Sequence, residues 1–155
     1  KEFTDIYWIF TSPNADTESR IIKKKIENHV RHNPENSKLF DSLGQLKYLS
    51  LLKNSIVMAG NSSSGIIETP SFGLPVINIG NRQNGRIKAG NVIDVFNCEK
   101  AEIIAVIKKA ISKEFKDSLN KIENPYGDGN TSDKIIEVLK TYSLSDILKK
   151  RFYDL

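Results

Sequence analysis

Apolar positions along this chain follow two rhythms. Apolar and β-branched runs occupy residues 6–10, 55–59, 76–79 and 91–96, with a shorter candidate at 38–40. Runs of that length and density fit strands buried between layers. Between them apolar residues recur every three or four positions, as in Ile21, Ile22, Ile26 and Val30, in Leu46, Leu49 and Leu52, and in Ile103, Ile104, Val106, Ile107, Ala110 and Ile111. That spacing lays an apolar stripe along a helix. It predicts helices over residues 17–32, 45–53 and 99–116, the first started by Asp16-Thr17-Glu18. Residues 118–130 read as a loop, followed by a helix to about Thr141 capped by Thr131 or Ser132. A last helix, 144–152, has Ser143 or Ser145 as its cap, and its aromatic pair Phe152-Tyr153 suggests packing onto something outside this sequence. Alternation of strand and helix predicts an α/β fold around a doubly wound parallel sheet.

The chemistry gathers where strands end. Residues 55–59 run into Gly60-Asn61-Ser62-Ser63-Ser64-Gly65, a turn that opens a helix. A first helical turn leaves backbone N–H groups without partners and carries the positive end of the helix dipole. Small residues let a phosphate approach it, and the hydroxyls of Ser62, Ser63 and Ser64 add donors. Glu68, further along the helix, would accept hydrogen bonds from the vicinal hydroxyls of a ribose. The spacing equally fits serines that only cap the helix and a Glu68 that only faces water. Pro70-Ser71-Phe72-Gly73-Leu74-Pro75 ends this helix, Gly73 suiting a left-handed cap. After the strand 76–79, the loop Gly80-Asn81-Arg82-Gln83-Asn84-Gly85-Arg86 presents Arg82 and Arg86. Thr11-Ser12-Pro13-Asn14 puts Asn14 at a third strand exit. In open α/β sheets ligands bind at that edge.

Composition narrows the choice. The 155 residues are 39% hydrophobic and 27% charged, an ordinary one-domain globular balance. The net charge of +4 is spread over several helices, without the aromatic-studded basic strand of single-strand binders, so nucleic acid is not an expected partner. The lysine run Lys23-Lys24-Lys25 reads as a solvated helix face. Cys98 is the only cysteine and His29 and His32 the only histidines, which rules out an internal disulfide and gives no plausible zinc site. No apolar run approaches a membrane span and no signal-peptide pattern opens the chain, so a reducing cytoplasm is expected and a membrane is not. The opening Lys1-Glu2-Phe3 lacks an initiator methionine and reads as the start of a fragment. A serine hydrolase would need a histidine after Ser63, and both histidines precede it. A Walker loop needs Gly-Lys-Ser/Thr, which is absent. A receiver domain needs an aspartate ending the third strand, where Gly60-Asn61-Ser62 stands.

Residues 60–86, together with residues 11–16 and the turn at 124–130, resemble the UDP-N-acetylglucosamine 2-epimerases, most closely the hydrolysing branch that supplies N-acetylmannosamine for sialic acid synthesis. The resemblance spans nearly the whole chain and rests on three motifs in order. It implies a Rossmann-like domain, the C-terminal, UDP-holding half of a two-domain, glycosyltransferase-B-like architecture. By that resemblance Ser62 and Ser63 match diphosphate-binding positions with Ser64 beside them, and Glu68 matches the ribose-binding carboxylate. Arg82 matches a diphosphate-side arginine, Arg86 a second, and Asn14 a polar residue lining the cleft. The reaction it implies is elimination of UDP from UDP-N-acetylglucosamine after loss of the C2 proton, then addition of water. The acids and bases belong to the family's other domain, so no catalytic residue is expected in this chain, and no cofactor or metal. The implied partners are UDP, a UDP-N-acetyl-hexosamine, the missing N-terminal domain, on which residues 143–155 would pack, and further copies in a homo-oligomer. Alternatives are an epimerase for UDP-N,N′-diacetylbacillosamine, the UDP-sugar-binding domain of a glycosyltransferase, or a pure interaction module.

Overall fold

The computed structural model describes residues 2–14, 18–143 and 145. The expected helix over 144–152 therefore lies outside the described residues. The order is β1 (Trp8–Thr11), α1 (Ser19–His32), β2 (Ser37–Phe40), α2 (Gly44–Asn54), β3 (Met58–Gly60), α3 (Ser64–Ile67), a 3-10 turn (Thr69–Phe72), β4 (Val76–Ile79), β5 (Val92–Val95), α4 (Lys100–Ile111), α5 (Lys113–Ser118) and α6 (Thr131–Thr141). Every ladder among them is parallel, as the alternation predicts. The strands are hydrogen-bonded as two sheets, β1 with β2, and β3, β4 and β5 in that order.

The central core forms where β4 and β5 lean on α4. Ile77, Val95, Ile107 and Ala110 are buried there, with Trp8, Ile93, Ile103 and Val106 packed around them. Because side chains alternate along a strand, Val76 and Asn78 face the opposite side from Ile77. On that side α3 lies close. A Cβ added to Gly65 would stand 3.0 Å from Val76 Cγ1, so only glycine lets the helix sit this near the sheet.

Several expectations change in detail. The helix predicted over 99–116 is two helices, broken at Ser112. That residue is extended, with ψ 153°, and its Oγ accepts the backbone N–H of Phe115 at 3.2 Å, so it ends α4 and caps α5. Thr131 and Ser132 lie inside α6 rather than capping it, and the N-cap position falls to Asn130. β1 is covered on one face rather than two, with Tyr7 and Ile9 exposed and Trp8 edge-on against Phe3. Leu52 is buried beneath α2 as expected, whereas Leu46 is 80% exposed. Ile21 and Ile22 on α1 are also exposed. Gly73 ends the 3-10 turn in the left-handed conformation, φ 58°, as its sequence context predicts.

Candidate functional site

Gly60 and Asn78 are paired across the β3–β4 ladder, so both strands release their loops at one edge. The serine turn is closed by its own backbone. Ser62 O accepts the N–H of Gly65 at 3.1 Å, and Ser63 O accepts those of Ile66 and Ile67, each at 2.9 Å. Ser62 Oγ accepts the N–H of Ser64 at 3.4 Å from an exposed position, and Ser63 is half-buried beside it. The helix they open is a single turn, after which Thr69 begins the 3-10 segment.

Ser64 is placed differently from its neighbours. Its hydroxyl donates to Glu68 Oε2 at 2.5 Å, and its oxygen lies 2.5 Å from the Tyr48 hydroxyl of α2. Since the one Ser64 proton is committed to Glu68, Tyr48 donates to Ser64. Burial raises the Tyr48 pKa, the Ser64 hydrogen bond opposes that, and the nearby Glu68 charge adds to it, so the phenol keeps its proton.

Gln83 joins the arginine loop to the serine turn. It is buried, and its Nε2 donates to Asn61 O at 2.8 Å. Arg82, next to it in the chain, is exposed at the same edge. Arg86 is exposed too, its backbone N–H reaching Gln83 O at 3.4 Å. The loop after α5 straps onto this assembly. Asn124 Nδ2 donates to Ile67 O at 2.9 Å and to Ser71 Oγ at 2.8 Å, while the Tyr126 hydroxyl donates to Ile87 O at 2.9 Å. Asp128, in the same loop, accepts the Asn130 backbone N–H and the Lys134 ammonium, which lowers its pKa to about 2.

Beneath the loops run two polar networks. Thr69 Oγ1 donates to Gly65 O at 2.7 Å and accepts from Asn91 Nδ2 at 2.8 Å, and the same Asn91 amide donates to Leu74 O at 2.7 Å. Asn91 thus fastens the helical turn to the loop before β4. On the neighbouring strands Asp94 accepts from Asn78 Nδ2 at 2.7 Å and from Lys88 Nζ at 2.9 Å. Burial pushes the Asp94 pKa up, but the Lys88 and Asn78 donors outweigh it and the net shift is downward.

Of the residues singled out from sequence, Ser62, Ser63, Ser64 and Glu68 lie on the serine turn and the short helix it opens, and Arg82 and Arg86 on the loop that Gln83 clips to that turn. Asn14 stands apart. It is exposed at the exit of β1, in the other sheet, where Ser12 and Lys23 both donate to Asp41 Oδ1, at 2.8 and 2.6 Å. No hydrogen bond among the described residues ties it to the serine turn. Among the described residues no three acidic, cysteine or histidine side chains gather as metal ligands, and no helix is long and apolar enough to cross a membrane. The sequence pattern gave no role to Tyr48 or Asn91, nor to Gln83 and Asn124 within the motif stretches 80–86 and 124–130. Tyr48 had a signal, a phenol among the leucines of α2, whereas the other three are amides whose partners are distant in sequence.

A family model described as UDP-N-acetylglucosamine 2-epimerase matches residues 1–140. The chain belongs to that family. It is 46% identical over 148 residues to a GDP/UDP-N,N′-diacetylbacillosamine 2-epimerase (hydrolyzing) of Campylobacter jejuni, covering 95% of this chain and 38% of the relative. It is 40% identical to a UDP-N,N′-diacetylbacillosamine 2-epimerase (hydrolyzing) of Legionella pneumophila, covering 95% and 37%. Among solved structures it resembles the UDP-GlcNAc 2-epimerase of Neisseria meningitidis bound to UDP-GlcNAc, with a TM-score of 0.62, 22% identity, and coverage of 88% of this chain and 44% of that one. That likeness shows the fold, an α/β domain of the epimerase type. The chain thus spans well under half the length of these relatives.

Proposed function

We propose that this chain is the nucleotide-holding domain of a hydrolysing UDP-sugar 2-epimerase, gripping the diphosphate that leaves during the reaction. The observation that carries the reading is the Gln83–Asn61 hydrogen bond, which makes one surface of the serine turn and the Arg82 loop at the carboxyl edge of β3 and β4. Ser62 and Ser63 would donate to the diphosphate oxygens, Arg82 would offset their charge, and Arg86 would reach the same group. Glu68, one helical turn on, would accept the ribose hydroxyls. Donors fixed in place before the reaction stabilise developing negative charge without reorganising, at about 3 kcal/mol for a well-placed one.

In the reaction a base removes the C2 proton of the sugar, the C1–O bond to the diphosphate breaks, and UDP leaves with the bonding electrons. Water then adds across the resulting double bond on the opposite face. This domain would supply the leaving-group half, and the remainder of a two-domain protein the proton transfers. The expectation from sequence was UDP-N-acetylglucosamine, yielding N-acetylmannosamine. The relatives at 46% and 40% identity favour the diacetylated bacillosamine sugar instead. The test is to incubate the intact protein with UDP-N,N′-diacetylbacillosamine, its GDP counterpart and UDP-N-acetylglucosamine, and follow nucleotide release and the freed sugar. Release of nucleotide together with the C2-inverted sugar supports the reading; release from none of them overturns it.

A further inference from the structure

We infer that Tyr48 and Ser64 are positioning residues for Glu68, forming a hydrogen-bond chain that fixes the carboxylate as a reader of ribose hydroxyls, with Ser64 serving the ribose side rather than the diphosphate. The inference rests on the nucleotide reading above and deepens it. Three residues on two elements line up: the Tyr48 hydroxyl on α2, Ser64 Oγ at the start of α3, and Glu68 Oε2 at its end, with both gaps 2.5 Å. The direction of the chain is set by its protons. Glu68 as a carboxylate only accepts, so Ser64 gives it a proton and must accept from Tyr48, whose other neighbour, the Met58 sulfur, is 4.0 Å away.

Two consequences follow from the geometry. The Ser64 hydroxyl has spent its donor on Glu68, so it has no proton for a phosphate oxygen, and the diphosphate is left to Ser62, Ser63 and Arg82. The Glu68 side chain is held by one oxygen, Oε2, which leaves Oε1 to accept from a ligand. A carboxylate already oriented loses less freedom when it accepts from a ribose hydroxyl. Tyr48 is half-buried, so the anchor at the far end of the chain does not wander with solvent.

The test is a set of titrations of the intact protein with UDP and with 2′,3′-dideoxy-UDP, which lacks both hydroxyls that Glu68 would read. Wild type is expected to prefer UDP. Tyr48→Phe keeps the ring and removes the donor, and is expected to cut the preference for UDP about threefold to tenfold by weakening UDP alone. Ser64→Ala is expected to cut it at least as far, with Ser64→Thr restoring it, and Tyr48→Phe added to Ser64→Ala is expected to change nothing more. An unchanged preference in Tyr48→Phe, or an equal loss for both nucleotides, overturns the inference while leaving the diphosphate reading intact. Failure of wild type to bind either nucleotide would instead strike the proposed function itself.

Discussion

The Nε2 of Gln83 donates to the carbonyl of Asn61 at 2.8 Å across 22 residues of sequence, and through that bond the arginine loop and the serine turn become one surface. Gln83 is buried and its Oε1 has no hydrogen-bond partner among the described residues. Gln83→Leu keeps the volume while removing both the clip and the unsatisfied oxygen. Its thermal stability is expected to stay within about 1 kcal/mol of wild type, while UDP affinity is expected to fall about tenfold because the arginine loop is no longer clipped to the serine turn. Paired melting curves and nucleotide titrations check this.

Asn91 is a second buried amide whose oxygen finds no partner among the described residues, but its loss strikes the fold through its two donated bonds. It is fully buried and ties Thr69 and Leu74 to the start of β4, where its own carbonyl accepts the N–H of Val76 at 2.8 Å. Asn91→Ala leaves the Leu74 carbonyl without its donor and opens a small cavity. Urea unfolding is expected to show a loss of about 2–3 kcal/mol.

At Gly65 the limit is contact distance. Gly65→Ala places a methyl 3.0 Å from Val76 Cγ1, so α3 or Val76 must yield by a few tenths of an ångström. The expected cost in denaturant titration is about 1–2 kcal/mol. UDP affinity is expected to fall with it, since the displaced turn carries Ser62, Ser63 and Glu68.

The strand exits and their anion-friendly residues were legible in the sequence because turn chemistry is local. Gly60 to Gly65 announce a turn, Gly73 a left-handed cap, and Arg82 and Arg86 an exposed loop. What holds these pieces to one another is not local. Gln83 meets Asn61, Asn124 meets Ile67 and Tyr48 meets Ser64 only once β3, β4 and the later loop have assembled. The break at Ser112 was hidden for a related reason. Apolar periodicity continues across it, and a serine that caps one helix while ending another has the same composition as one on a solvated face. Leu46 and Ile21 sit on apolar stripes yet are exposed, because a stripe tells which face is sticky, not whether a neighbour within the chain covers it.

Asp94 gives a pH prediction. Its pKa in the folded chain is held below the ordinary 3.8 by Lys88 and Asn78 against the cost of burial. A lowered folded value means that its contribution is present above the ordinary carboxylate range and is lost as pH falls through the folded value. Asp94→Asn is therefore expected to be less stable than wild type at neutral pH, with the gap closing as pH falls below the ordinary carboxylate range. Urea midpoints measured from about pH 7 to 2 follow the two curves together.

Whether UDP sits on the serine turn and the Arg82 loop can be read residue by residue from amide NMR of this chain during a UDP titration. The titration runs to millimolar nucleotide, so that binding worth only about 4 kcal/mol is still seen, with ADP and GDP as comparisons. Shifts confined to residues 61–68 and Arg82, with UDP preferred over ADP, are expected. An absence of shifts there at millimolar UDP, or shifts confined to other parts of the chain, would contradict that placement.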